Sequence, residues 1–548
     1  RGRLFKWFIG LIILSSPVNW MKQSSLRWNG VLFLSGAIGA LSLPPFGIWP
    51  LFLWPMCLAI IRLDHCETGR QALLSGWVLG FGYFLAGLWW IGSAFLVEPK
   101  FIWAMPLAIV GLPFILAFFF ALAFAACFYF WRPGFSRILI FSLILTLTEL
   151  LRGEIFSGFP WNAIGMVMGS SLELSQIASA VGLSGLNFLV AFFFAAPILF
   201  LTEKKMTLRF GGPLIFVIGL TAFFLFGHER LAAPHAEAVP GVRIRIMQPA
   251  IAQDEKFDKD YSSRILTDYL SLSSRGSYPS AEGMNGITHL IWPETAFPFL
   301  LDHSPKAREE IRRILPKGAV LLTGAVRAED KPDKSDRFYF NSIQVLDELG
   351  TITASADKVH LVPFGEYLPF EGMIDFFGLR NFIAAPGGFT AADERKPLDV
   401  PSWPLTLPLI CYEAIFPEQS HLASGERPGV LLNVTNDAWF GLTPGPYQHY
   451  AQARLRAIEL GIPLIRASNN GISAIIDSYG RERARIELGE RGIIDGDLPQ
   501  ALPETIYSRF PAGPHSSLWL FIGMIGILFT LGQITPRRVR IISATSDR

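Results

Sequence analysis

The chain has 548 residues and a formal net charge of only +2 at pH 7, so its bulk charge favours neither a nucleic-acid partner nor an acidic one. Hydrophobic residues make up 51% of the chain and charged residues 17%, whereas a soluble domain has about 25% charged residues. This composition excludes a wholly soluble protein. The apolar residues are unevenly placed, because 28–227 is almost continuously apolar, 242–510 has the composition of a soluble domain, and 515–533 is apolar again.

Eight apolar segments approach the length of about 20 residues that a membrane-spanning helix needs. They lie at 28–44, 46–63, 72–96, 103–131, 137–152, 174–201, 213–227 and 515–533. They predict a seven-helix membrane domain over 28–227 and a C-terminal membrane helix over 515–533, followed by a basic cytoplasmic tail at 534–548. Residues 1–27 are interpreted as an N-terminal extension, in which 1–20 is an upstream stretch, a signal-like stretch or a ninth segment.

Lysine and arginine are concentrated in alternate loops between these segments, which predicts the orientation of the chain. One set of loops carries Arg62, Arg70, Arg132, Arg137, Lys204, Lys205 and Arg209, and the other holds little beyond Lys100 and Arg152. With eight spans, both termini lie in the cytoplasm and 242–510 lies outside. In a bacterial cell, this predicts a multi-pass protein of the inner membrane with its soluble domain on the periplasmic face.

Residues 242–510 alternate short β-branched runs with polar helical stretches. The runs predict strands at 242–246, 288–292, 319–323, 405–410, 430–434 and 463–467, and hairpins at 341–356 and from 471 past Gly480. Helices are predicted at 260–274, 304–314 and 447–460. Strands mixed with helices predict one α/β domain, so the fold class is a multi-span α-helical membrane domain plus an extracytoplasmic α/β domain.

Three residues of catalytic type, Glu294, Lys358 and Cys411, lie at or just after the ends of predicted strands. Side chains at such strand ends can converge on one crevice. Cys411 is the only cysteine of 242–510, and a thiol without a partner is a candidate reactive group. Glu294 is suited to act as the general base for the thiol. Lys358 is suited to stabilise the thiolate and then an oxyanion.

The backbone N–H of Tyr412, next to the candidate nucleophile, is a natural second oxyanion donor. The product of such chemistry is an acyl thioester, which a second nucleophile resolves. The histidines at His360 and His449 fit no metal-ligand spacing, so neither a metal nor another cofactor is expected.

Structural alternatives remain open for several of these residues. Cys411 alone fits a small buried hydrophobe, and Glu413 fits a salt-bridge partner. Glu366 fits an orienting partner of Lys358 as well as a direct catalytic role. Trp161 fits an interfacial anchor in an aromatic belt.

The motifs around the three candidates resemble a known signature. The motifs are Trp292-Pro293-Glu294, Asp357-Lys358 and Cys411-Tyr412-Glu413. Lys358 follows Glu294 by 64 residues, and Cys411 follows Lys358 by 53 residues. These motifs are similar to the Glu-Lys-Cys signature of the nitrilase (carbon–nitrogen hydrolase) superfamily. With the membrane segments included, 30–533 resembles the apolipoprotein N-acyltransferases. Three further segments carry this resemblance: 158–162 (GFPWN), 362–369 (VPFGEYLP) and 436–441 (NDAWFG).

The resemblance implies a nitrilase-like αββα sandwich that faces the periplasm and moves an acyl chain from a phospholipid donor onto a cysteine. The acceptor is the α-amino group of an N-terminal diacylglyceryl-cysteine of a lipoprotein. Carried over to this chain, Glu294 is the base, Lys358 stabilises the oxyanion and Cys411 is the nucleophile. The resemblance also implies that Glu366, Tyr412 and Glu413 support the reaction.

One position departs from the family pattern, because Phe257 stands where the family typically has tryptophan. The aromatic loop at 370–382 is expected either to line an apolar crevice at the membrane interface or to pack as a surface loop. The protein is expected to be a monomer. Two alternatives of function stay open: a membrane-tethered amidase or nitrile hydrolase, and a transporter with an extracytoplasmic sensor domain. The scarcity of ionisable residues within the spans disfavours the transporter.

Overall fold

The structure is a computed structural model, and it describes residues 25–97, 99–253, 259–331, 337–367, 388–509, 517 and 521–526. Several predictions fall wholly or mostly outside the described residues. They concern the N-terminal extension up to residue 24, Phe257, the aromatic loop at 370–382, the C-terminal membrane helix at 515–533 and the tail at 534–548.

The described part of the N-terminal region is helical. Its longer helices are α1 (Ser25–Ala40), α2 (Leu53–Asp64), α3 (Gly69–Leu88), α4 (Met105–Phe130), α5 (Ser136–Glu154), α6 (Ala178–Ala195) and α7 (Met206–Ala232). Shorter helical turns lie at Ala94–Val97, Met166–Gly169, Leu172–Ser175 and Leu199–Thr202. Glycine lets α1 and α3 approach closely, because a Cβ at Gly82 would lie 2.1 Å from the carbonyl oxygen of Phe33.

Within the described residues, four helical stretches are long and apolar enough to cross a membrane: Gly69–Val97, Ile102–Phe130, Ala178–Thr202 and Met206–Ala232. The predicted segments at 28–44, 46–63 and 137–152 coincide largely with α1, α2 and α5. The first two helices are shorter, and α5 carries the charged residues Arg137, Glu149, Arg152 and Glu154. A multi-helix apolar domain is therefore confirmed, whereas the count of eight spans stays a prediction.

The second region contains two β-sheets. Their strands are β1 Ala238–Gln248, β2 His289–Trp292, β3 Val320–Asp330, β4 Arg337–Leu346, β5 Ile352–Asp357, β6 Thr406–Ile410, β7 Val430–Thr435, β8 Leu464–Ser468, β9 Ser473–Ile476, β10 Glu482–Ile486 and β11 Gly492–Pro499. The first sheet has the strand order β11-β1-β2-β3-β4-β5 and the second has the order β10-β9-β8-β7-β6. Strands β1–β3 are parallel to one another, as are β6–β8.

The two sheets pack face to face and helices cover their outer faces. Ile291 of β2 lies in the core between the sheets, together with Ile410 of β6. Its neighbours Leu290 and Trp292 point the other way, as the two-residue period of a strand requires. They pack under α8 (Lys259–Ser273) and α9 (Pro305–Ile314). Helix α10 (Pro444–Leu460) covers the second sheet. These four layers confirm the predicted αββα sandwich.

The predicted strands, hairpins and helices of this domain are confirmed, with small differences at their ends. One strand escaped prediction: β11 pairs antiparallel with β1, with Ile246 opposite Ile494. Its sequence, GIIDGDLP, holds two glycines and two aspartates, residue types that are depleted in strands. Pairing with the edge of an existing sheet stabilises it where local propensity does not.

One apolar cluster contains buried residues of both the helical region and the sandwich. Tyr412, Ile415 and Phe416, which follow β6, belong to the same buried cluster as Trp161 of the helical region. Ala451, Leu455 and Ile458 of α10 join them. The segment after β6, which begins with Cys411, is therefore packed directly against the apolar helical region.

Candidate active site

The candidate residues lie where the sequence predicts, at or just after strand ends. Glu294 follows β2, Lys358 follows β5 and Cys411 follows β6. A glycine is required beside Glu294, because a Cβ at Gly324 would lie 2.5 Å from the Cα of Glu294. The backbone N–H of Lys358 donates to the carbonyl oxygen of Asn341 at 2.8 Å, which holds these two residues side by side.

Two carboxylates converge on the ammonium of Lys358. Its Nζ lies 2.9 Å from Oε1 of Glu366 and 3.7 Å from Oε1 of Glu294. The side-chain amide of Asn341 donates to both carboxylates, at 2.7 Å to Glu294 and 2.9 Å to Glu366. All four side chains are buried, with Lys358 only 1% exposed. Sequence reasoning missed Asn341, although a polar residue on a predicted strand, close to two proposed catalytic groups, was an available signal.

The charge of Lys358 is set by two opposing effects. Burial disfavours the ammonium, but the coulombic attraction of Glu366 and Glu294 outweighs burial and raises the pKa of Lys358 above its usual value. Lys358 is therefore a permanent cation at neutral pH. A cation fixed in a buried site interacts strongly with any negative charge that forms beside it.

Cys411 directly follows the buried strand β6 and has an unusual backbone conformation. Its φ is +54°, in the left-handed region that a residue with a Cβ rarely adopts. Burial and the nearby charge of Glu294 raise the pKa of the Cys411 thiol, while Lys358 and a hydrogen bond between Cys411 and Thr435 act in the opposite direction. The resting thiol is therefore protonated, and its reaction as a nucleophile needs a base.

Glu413 is enclosed by donors on both oxygens. Oε1 accepts from the backbone N–H groups of Val359 and His360 at 2.8 and 3.0 Å and from Nη2 of Arg395 at 2.7 Å. Oε2 accepts from Nη1 of Arg395 at 3.0 Å and from the N–H of Ile410 at 2.7 Å. Burial opposes ionisation, but Arg395 outweighs it and lowers the pKa of Glu413. The salt-bridge interpretation of Glu413 is confirmed, and its partner Arg395 was not predicted.

The loop at 158–162 reaches the site from the helical region. The hydroxyl of Tyr412 donates to the carbonyl oxygen of Gly158 at 3.2 Å. Trp161 is 1% exposed, and its Nε1 donates to Oε1 of Gln448 at 2.9 Å. The ring of Trp161 lies 5.4 Å from that of His449. The interpretation of Trp161 as an interfacial anchor is wrong, because the loop folds inward against the catalytic domain.

Glu366 is held from two sides. Its Oε2 accepts from the N–H of Val362 at 2.8 Å, while Oε1 faces Lys358 as described. This geometry fits an orienting partner of Lys358, and a direct catalytic role for Glu366 stays a prediction. Among the described residues, no group of three or more histidine, cysteine, aspartate and glutamate side chains is arranged to hold a metal ion.

Comparisons with known proteins cover both regions. The carbon–nitrogen hydrolase family matches residues 278–507, and the N-terminal domain of apolipoprotein N-acyltransferase matches residues 35–196. Together with the αββα sandwich, these matches define a membrane-bound enzyme with a carbon–nitrogen hydrolase domain. An amidase of the nitrilase superfamily from Nesterenkonia AN1 matches with a TM-score of 0.36 and 20% identity, over 48% of this chain and 93% of the amidase.

Relatives that match most of the chain show which family of this enzyme class the chain belongs to. The apolipoprotein N-acyltransferase of Rhodopseudomonas palustris is 42% identical over 507 residues, which are 91% of this chain and 94% of the relative. That of Agrobacterium fabrum is 44% identical over 478 residues, which are 85% of this chain and 88% of the relative. The chain belongs to the apolipoprotein N-acyltransferase family. It is an acyltransferase, as predicted, rather than a transporter with a sensor domain.

Proposed function

We propose that this protein transfers an acyl chain from a membrane phospholipid to the α-amino group of the N-terminal diacylglyceryl-cysteine of apolipoproteins. Cys411 carries the chain as a thioester between the two steps. The observation that carries the proposal is the cluster of the buried Glu294 and Lys358 with the half-buried Cys411, built at the junction with an apolar helical domain. A lipid donor accounts for that junction, because its acyl ester lies at the membrane surface while its tails stay in hydrocarbon.

In the first step, Glu294 takes the proton of the Cys411 thiol and the thiolate attacks the ester carbonyl of the phospholipid. The oxyanion of the tetrahedral intermediate forms beside the ammonium of Lys358 and the N–H of Tyr412. The carbon–oxygen bond to the lysophospholipid then breaks. The leaving alkoxide takes the proton from Glu294, so the step ends with a thioester, a lysophospholipid with a free hydroxyl and an ionised carboxylate.

In the second step, the amine of the lipoprotein attacks the thioester carbonyl and Glu294 accepts the proton that the amine loses. The same two donors stabilise the second oxyanion. The carbon–sulfur bond breaks, an amide forms, and the thiolate of Cys411 regains its proton from Glu294. Glu366 and Asn341 hold the side chains of Lys358 and Glu294 in position through both steps. Glu294 and Lys358 are buried beside the thioester, which limits the access of hydrolysing water from their side.

The cellular setting belongs to the same proposal. The alternation of basic residues between loops supports an orientation with the catalytic domain on the periplasmic face of the bacterial inner membrane. The chain acts there as a monomer. Its acceptors, diacylglyceryl lipoproteins, have a free α-amino group at the membrane surface, within reach of a domain packed on the apolar helices.

The test is acyl capture by purified protein in bilayers that contain phospholipid with a radioactive acyl chain. We expect an adduct that hydroxylamine releases in the wild type and in Cys66→Ala, a matched control whose thiol lies in the helical region. We expect none in Cys411→Ala. An adduct that persists in Cys411→Ala would show that the nucleophile is another residue. Adding a diacylated lipopeptide amine should discharge the adduct as amide, whereas discharge as free fatty acid alone would favour the hydrolase alternative.

A further inference from the structure

A buried chain of polar side chains lies behind the nucleophile and takes no part in the two steps described above. His449, on α10, places Nε2 3.0 Å from the carbonyl oxygen of Cys411 and Nδ1 2.8 Å from Oδ1 of Asp437. Asp437 is held by Nη2 of Arg466 at 2.8 Å and by the hydroxyl of Thr435 at 3.0 Å. His449, Asp437 and Arg466 are each 0% exposed.

The partners of His449 determine which hydrogens its ring carries. A carbonyl oxygen only accepts, and an ionised carboxylate only accepts. Burial favours the neutral acid of Asp437, but Arg466 and His449 outweigh it and lower the pKa of Asp437 to about 2. The carbonyl oxygen of Cys411 therefore takes its hydrogen from Nε2, and Nδ1 faces the carboxylate of Asp437. Nη2 of Arg466 lies 3.2 Å from Nδ1 but only 2.8 Å from Asp437, so Asp437 is the nearer partner of Arg466.

The carbonyl that His449 holds shares a peptide group with the N–H of Tyr412. A trans peptide is planar, and its C=O and N–H point in opposite directions. A donor that fixes the carbonyl oxygen of Cys411 on one side therefore fixes the N–H of Tyr412 on the other. This matters at Cys411 because its φ of +54° is a strained conformation, which persists only where surrounding contacts enforce it.

Two neighbours hold His449 in turn. The ring of Trp161 packs against the imidazole, and the adjacent Gln448 accepts hydrogen bonds from Nε1 of Trp161 at 2.9 Å and Nε1 of Trp90 at 3.1 Å. These tryptophans come from the helical region. The orientation of the peptide after the nucleophile thus depends on packing between the two regions.

We infer that His449 is a positioning residue that aims the N–H of Tyr412 at the oxyanion by holding the carbonyl oxygen of Cys411. The inference rests on the proposed function, because it assigns a task within the same acyl transfer. The simpler alternative is that His449 only satisfies the buried charge of Asp437. If His449 positions the peptide, the important ring nitrogen is Nε2, which contacts Cys411. If His449 only satisfies Asp437, the important ring nitrogen is Nδ1.

Two substitutions separate the nitrogens. His449→Gln can keep an amide N–H near the position of Nε2 and so retain the donor to Cys411. His449→Asn can keep a donor near the position of Nδ1 and so retain the contact with Asp437. Both are made in the full chain in bilayers. Their melting temperatures are compared with that of the wild type, so that only folded protein is assayed.

Two reactions of Cys411 are then measured. The burst of nitrophenol from a p-nitrophenyl ester reports acylation, which passes through an oxyanion. Alkylation by iodoacetamide, followed on the Cys411 peptide by mass spectrometry, is a displacement at carbon without an oxyanion. For His449→Asn we expect the acylation burst rate to fall on the order of a hundredfold, as when one oxyanion donor is lost. We expect alkylation to stay within about threefold of the wild type, and His449→Gln to recover most of the acylation rate.

Three outcomes would overturn the inference: wild-type acylation in His449→Asn, an equal loss of acylation and alkylation, or equal loss of acylation in both variants. Failure of the proposed function is visible separately. A wild-type burst with the nitrophenyl ester, but no adduct from phospholipid, would refute the lipid donor while leaving the role of His449 measurable. Absence of any acylation of Cys411 by either donor would overturn both.

Discussion

Glu294 and Glu413 are both buried glutamates next to catalytic candidates, yet their surroundings differ. Glu413 accepts hydrogen bonds from three backbone N–H groups and from both terminal nitrogens of Arg395, so its one negative charge is matched by one positive charge. Glu294 shares the ammonium of Lys358 with Glu366, and its Oε1 lies 3.7 Å from Nζ, whereas Oε1 of Glu366 lies at 2.9 Å. A carboxylate enclosed by an arginine and three N–H groups stabilises the fold, whereas a carboxylate at a longer distance from a shared ammonium can accept a proton.

The largest expected effect is on catalysis at Glu294. Glu294→Gln keeps the shape of the side chain but removes the base, so acylation of Cys411 by phospholipid should fall by about 10²–10⁴-fold. The melting temperature should change little, because an amide can keep a hydrogen bond in this cluster. Single-turnover adduct formation measures the rate. Acylation within tenfold of the wild type would mean that another group takes the thiol proton.

The matched carboxylate should respond in the opposite way. Glu413→Ala leaves Arg395 as an uncompensated buried charge, and breaking such a pair lowers the free energy of unfolding by about 3–5 kcal/mol. Denaturant unfolding of the purified protein in detergent measures the loss. The double replacement Glu413→Ala with Arg395→Met is the control, and it should recover part of the stability. Normal stability of Glu413→Ala would contradict a structural role for this pair.

The pH dependence of Cys411 alkylation tests the charge of Glu294, because that charge acts on the thiol. Burial and the charge of Glu294 disfavour the thiolate, so the pKa of Cys411 is raised above the value of about 8.5 for free cysteine. Alkylation of Cys411 by iodoacetamide should therefore keep rising beyond about pH 9.5, where an exposed thiol levels off. Glu294→Gln removes one of the raising charges, so at pH 8 it should alkylate several-fold faster while catalysing worse. A plateau in the wild type below pH 9 would contradict this assignment.

The smallest effect is expected at an ion pair that is matched but exposed. Arg312 and Glu309 on α9 lie 2.7 Å apart, a shorter distance than the 2.9 Å between Lys358 and Glu366. Solvent screens exposed pairs, so Arg312→Ala should leave both the melting temperature and the acylation rate unchanged. A clear loss of stability would mean that burial is not what separates the structural pairs from the surface ones.

Local sequence patterns predicted the helices of 242–510 and its strands apart from β11, and the resemblance to the nitrilase superfamily implied the αββα class. The same patterns led to Glu294, Lys358 and Cys411 as a proposed catalytic set. Runs such as 430–434 are apolar and β-branched enough to predict strands from local pattern alone. The three site residues were found because each follows such a run within a motif of known spacing. These features depend on residues that are close together along the chain, and so they can be read locally.

Tertiary structure alone decided which polar groups meet. Arg395 reaches Glu413 from a loop without a predictive pattern, and Trp161 meets Gln448 across 287 residues. His449 offered no metal spacing, and its contact with the backbone of Cys411 appears only when α10 packs beside β6. A buried polar group must find a partner, but which partner depends on how the layers stack. The sandwich and the apolar helices bring these distant residues into contact, and that packing is set by the whole molecule rather than by any one segment.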